Sequence, residues 1–143
     1  MVAGRYSCST ETSTDVSDEV SALISDATQS IASQDFETAM DKSLQALDLS
    51  GDDPFLQVQS LYSIIGIDIM ASRDADAWEK ALQAEAIARE NGFTKELSAI
   101  LVSKAKLCSY AEISPETGRN DEGLGYAMEA LRLAKEADAV REQ

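Results

Sequence analysis

The chain has 143 residues, 44% of them hydrophobic, enough for one domain with a real core. Its 26 acidic residues against 12 basic give a net charge of −14, a surface that repels a phosphate backbone and argues against direct DNA or RNA binding. Histidine is absent, which removes the commonest general base and zinc ligand, and the two cysteines, Cys8 and Cys108, form no zinc or redox motif.

Residues 1–16 are rich in Ser and Thr, show no hydrophobic period and read as a disordered leader. Cys8 before such a tether looks like the start of a mature bacterial lipoprotein, yet Arg5 stands where that signal needs an apolar residue. From about Ser17, Val20, Leu23, Ile24, Ala27 and Ile31 recur at steps of three and four, the period of a helix. Asp35 is placed to cap a second helix carrying Phe36, Ala39, Met40, Leu44 and Leu47, which Gly51 closes. Asp53-Pro54 marks the third start, an N-cap followed by proline at a position where its missing N–H costs nothing. That helix is apolar almost all round from Phe55 to Met70, with Asp68 its one charge, so it must be covered on several sides. The same stretch falls short of the roughly 20 apolar residues that a membrane span needs.

Asp74 is predicted to cap a fourth helix from Ala75 to about Glu90, closed by Asn91-Gly92. Thr94 is predicted to cap a fifth, with Leu97, Ile100, Leu101, Ala105, Leu107 and Cys108 as its apolar set and the Cys108 thiol buried. A long connection over 112–123, with Ser114-Pro115-Glu116 inside it, leads to a last helix from about Asp121 to Ala137.

Three of these helices open alike: Phe36-Glu37-Thr38-Ala39-Met40, Trp78-Glu79-Lys80-Ala81-Leu82 and Leu124-Gly125-Tyr126-Ala127-Met128. The alanines at 39, 81 and 127 are 42 and 46 residues apart, and each has another seven positions on, at Ala46, Ala88 and Ala134. Residues two turns apart share a face, so Phe36, Trp78 and Leu124 with these alanines are expected to pack hairpin on hairpin. The prediction is an all-α domain over 17–143, about six helices in stacked antiparallel hairpins at about 17–50, 54–91 and 94–137.

A large apolar residue just before a small one, with a second small residue seven positions later, resembles the second helix of tetratricopeptide repeats. The resemblance implies a right-handed superhelix whose concave groove receives a protein or peptide. Tyr62 and Tyr110 on first helices are then groove candidates, together with Lys104 and Lys106 from the main basic concentration. The units exceed the family's length of about 34 residues, and Gly51 and Gly92 replace its usual proline. With the run Ala81 to Gly92 they look most like the input arrays of bacterial sensor histidine kinases and helix-turn-helix regulators. This implies a non-enzymatic sensory or protein-binding module in signal transduction, with the compartment left open between the periplasmic side of a membrane-anchored protein, which the resemblance favours, and the cytoplasm. A free-standing adaptor or co-chaperone that binds extended peptides is the alternative.

Arg141-Glu142 aligns with Lys95-Glu96, as if a further hairpin began there, so a fragment with an open, self-associating last face is expected. No metal or cofactor is expected. The acid pairs Asp52/Asp53, Asp74/Asp76 and Asp121/Glu122 fall at helix starts, where capping and the helix dipole account for them.

Overall fold

The computed structural model describes residues 2–109 and 119–142, with side chains for 15–109 and 122–138. They form six helices: α1 Val2–Ala32, α2 Phe36–Ser50, α3 Pro54–Met70, α4 Asp74–Asn91, α5 Thr94–Cys108 and α6 Arg119–Glu142. No strand occurs among the described residues.

Local chemistry sets most of the boundaries. Asp35 accepts a hydrogen bond from the Thr38 N–H at 3.1 Å, and Asp53 accepts from Phe55 and Leu56, with Pro54 behind it. Gly51 and Gly92 end their helices at φ of 53° and 69°, a left-handed backbone that disfavours other residues.

Two expected caps are corrected. Asp74 is the first residue of α4 rather than its cap, and Thr94 is the first residue of α5; Arg73 and Phe93 occupy the cap positions without a side-chain cap bond. The turns before them are fixed by backbone bonds, Arg73 N–H to Asp68 O and Phe93 N–H to Ala88 O, which place Arg73 and Phe93 rather than Asp74 and Thr94 at the cap position. Helix α1 begins at Val2, so it reaches back beyond the start near Ser17 that its apolar period predicts. The segment before Ser17 holds no proline to stop that extension. Likewise α6 begins at Arg119, two residues before Asp121. The Cys8 side chain, Tyr110 and positions 112–118 of the long connection lie outside what is described.

Successive helices pair as hairpins: α1 with α2, α3 with α4, α5 with α6. Between hairpins, α2 packs on α3 and α4 on α5, while α3 touches α1 on one side and α5 on the other, the three forming one layer. The backbones of α2, α4 and α6 do not approach each other. The apolar α3 takes the central place, burying Leu56, Val58, Leu61, Ile64, Ile65 and Ile67. Each such side chain contributes about 1.5–3 kcal/mol of burial free energy, so α3 is the spine of the core.

The hairpin turns reveal the true repeat. In the first, Ser33, Gln34 and Asp35 donate to the carbonyls of Gln29, Ile31 and Ser30; in the second, Ala71, Ser72 and Arg73 donate to Ile67, Ile69 and Asp68. Gln34 and Ser72 both sit at φ 61°. The two turns coincide at a step of 38 residues, and so do the buried stripes Ala39, Ser43, Ala46, Ser50 and Ala77, Ala81, Ala84, Ala88. The expected step of 42 is therefore corrected to 38, which pairs Ala39 with Ala77.

On α6 the expected packing set fails. Leu124 is 62% exposed, and Ala127 and Ala134 are exposed as well. The helix turns Gly123, Ala130 and Leu133 inward instead, with Tyr126 half-buried. An alanine-rich helix offers small residues seven apart on more than one face, and only the partner decides which face is used.

Candidate functional site

With α1, α3 and α5 in one layer, the open sides of these helices make a common surface. On α3 it is marked by Phe55, Gln59, Tyr62 and Gly66, spaced four, three and four residues apart on one helical stripe. Tyr62 is 45% exposed, so its ring is available while its base is seated.

Two clefts meet at this residue. One of about 220 Å³ is formed by Val58, Gln59 and Tyr62 of α3 with Lys95, Glu96 and Ala99 of α5. The other, about 290 Å³, is formed by Ser21 and Ile24 of α1 with Gln59 and Tyr62. Gln59 and Tyr62 line both, so together the clefts cross all three helices as one groove. Val102 on α5 is 43% exposed, two turns beyond Lys95. Lys95 and Lys106 are exposed on the same helix. The groove thus offers an aromatic anchor, an amide, short apolar floors and charges of both signs at its α5 edge, the mixture that takes an extended chain. Among the described residues no group of three or more Asp, Glu, Cys or His converges as a metal site.

Of the expected groove residues, Tyr62 lies in it and Lys106 is exposed, but Lys104 is not available to a partner. Lys104 is 3% exposed; its Nζ donates to Glu85 at 2.6 Å and stands 4.0 Å from the Tyr126 ring centroid and 5.0 Å from that of Trp78. Helical period explains the correction, since residues two apart, as Lys104 and Lys106 are, point about 200° apart.

Around Lys104 a polar cluster joins three helices. Arg89 of α4 donates to Glu85 at 2.9 Å and through both terminal nitrogens to Glu129 of α6 at 3.0 Å each. This paired bond raises the Arg89 pKa and holds the Glu129 carboxyl below the usual carboxylate range. Trp78 and Tyr126 close the cluster with centroids 6.2 Å apart. The tryptophan is therefore a core anchor, as its place near the start of a hairpin's second helix implies. Sequence reading missed this cluster, although the i, i+4 spacing of Glu85 and Arg89 was a signal.

A separate cleft of about 230 Å³ lies between the outer helices, where Met40 and Leu44 of α2 face Asp76, Glu79 and Lys80 of α4. At its base the carboxyl of Asp68, buried, pairs with Arg73 at 3.0 Å; burial raises its pKa more than Arg73 lowers it. Buried Cys108 lies against α6, where a Cβ added at Gly123 would come within 3.0 Å of the Cys108 Cβ. No helix of the described residues is long and apolar enough to cross a membrane. The chain matches no family model, no curated protein and no solved structure.

Proposed function

We propose that this chain is a non-enzymatic protein-binding module, the input or partner-docking array of a bacterial signal-transduction protein, and that its site is the groove centred on Tyr62. The observation behind this reading is the sharing of Gln59 and Tyr62 by two clefts that together cross α1, α3 and α5. A continuous groove on a stacked-hairpin scaffold suits an extended segment, with one aromatic residue as the main anchor. The signalling role rests on the resemblance of the long units to input arrays.

The test is a display selection of unstructured peptides on the whole chain. Enriched peptides should lose at least about tenfold in affinity to Tyr62→Asp and several-fold to Val102→Asp. A selection that enriches nothing, or peptides indifferent to both substitutions, would overturn the groove reading.

A further inference from the structure

The groove leaves one surface of the molecule unexplained. On α6, Leu124, Met128 and Leu131 are 62%, 64% and 58% exposed, spaced i, i+4 and i+7 along one side. Ala127 and Ala134 are exposed beside them. The same helix turns Gly123, Ala130 and Leu133 inward; among the described residues its backbone approaches α5 alone, and α4 reaches it through the Arg89–Glu129 and Trp78–Tyr126 contacts. So α6 carries apolar residues on two faces and uses one.

We propose that the second face is covered by another copy of this chain, the two α6 helices lying antiparallel across a two-fold axis at Met128. Charge complementarity selects both the occupant and the direction. The sequence places Asp121 two turns before Met128 and Lys135 two turns after it. With Met128 on the axis, the antiparallel register brings position 121 of each copy to position 135 of the other, an acid in sequence against a base, whereas a parallel register brings like to like.

The charge of the whole chain favours this end as well. Residues 94–143 carry 9 acids and 7 bases, against 17 acids and 5 bases in residues 1–93, so two copies meet where mutual repulsion is least. An isologous contact of this kind closes at two copies and does not propagate into a filament. It also leaves the Tyr62 groove open, on different helices.

Sedimentation equilibrium of the whole chain at low salt should show a reversible dimer at micromolar concentrations. Met128→Lys should raise its dissociation constant at least about tenfold, while the far-UV spectrum stays helical because the position is exposed. Lys135→Asp alone should weaken the dimer about fivefold, two symmetric pairs being lost, and adding Asp121→Lys should restore it. Tyr62→Asp should leave it unchanged. A chain that stays monomeric throughout, or a dimer indifferent to Met128→Lys, overturns the proposal; a charge swap that fails to restore the dimer overturns the antiparallel register.

Discussion

The two junctions between hairpins are built from different chemistry. Where α2 meets α3 the contact is small and neutral: Ser43 shares a hydrogen bond with Ser63 at 2.8 Å, and buried Ser50 with Ser60 at 3.2 Å. Where α4 meets α5 and α6, Lys104, Glu85, Arg89 and Glu129 form a charged chain against Trp78 and Tyr126. Serine pairs let two helices approach closely and keep each hydroxyl satisfied, but each bond contributes only about 1 kcal/mol. A buried lysine is harder to satisfy: losing Glu85 strands its charge, and losing Lys104 leaves Glu85 to Arg89 alone. The first junction should therefore tolerate substitution, and the second should not.

The sharpest way to break that contrast is to truncate one residue in each junction. Lys104→Ala should cost about 3 kcal/mol by leaving Glu85 short of a partner, while Ser43→Ala should cost about 1 kcal/mol or less; chemical denaturation compares them directly. Lys104→Met, which keeps the packing against the rings, should fall between. Equal losses at the two sites would show that the charged cluster adds nothing beyond contact area.

The next effect concerns how tightly α6 sits. Gly123→Ala should destabilise by about 1–2 kcal/mol, because the new methyl meets the Cys108 Cβ, which cannot swing away. Gly125→Ala, with nothing within 4 Å of its added Cβ, should instead stabilise by about 0.5–1 kcal/mol through helix propensity. Shifts of opposite sign in thermal unfolding would confirm that α6 is seated at Gly123 and free at Gly125.

The smallest effect is the pH dependence of the second junction. The Glu129 carboxyl is held below its ordinary range by Arg89, so its folded pKa is depressed. That contribution is present above the unfolded pKa and is lost as pH falls through the folded one. Arg89→Met should lower the melting temperature most near neutral pH, with the gap to the parent chain closing in acid. A constant gap would mean that Arg89 acts through packing alone.

How far the sequence could be read follows the range of each interaction. Asp35, Asp53-Pro54, Gly51 and Gly92 act within a turn, and each was legible from its neighbours. The apolar run of α3 announced a central helix because few environments cover so many sides. Register was not legible in the same way, because Ala77, Ala81, Ala84 and Ala88 all suit a close approach and the turn at Ser72 fixes which alanine of α4 answers Ala39. Tyr62 could be placed on a first helix from sequence, but the two clefts that make it a candidate anchor depend on residues of α1 and α5 far from it in the chain. Lys104 was misplaced for a related reason: a lysine is usually solvated, and only the convergence of Glu85, Trp78 and Tyr126 makes its burial affordable.

The uneven outer layer has a mechanical side. The backbones of α2 and α4 stay apart with a cleft between them, whereas α4 and α6 are bridged by Arg89 to Glu129 and by Trp78 to Tyr126. Bending that opens the outer layer meets resistance at the α4–α6 clasp and little at the α2–α4 gap. The array should flex as a rigid pair of hairpins with one loose leaf, with α3, which carries Tyr62, along its hinge line. A segment lying in the groove would then sit across the hinge, so that its length and stiffness set how far the leaf can swing.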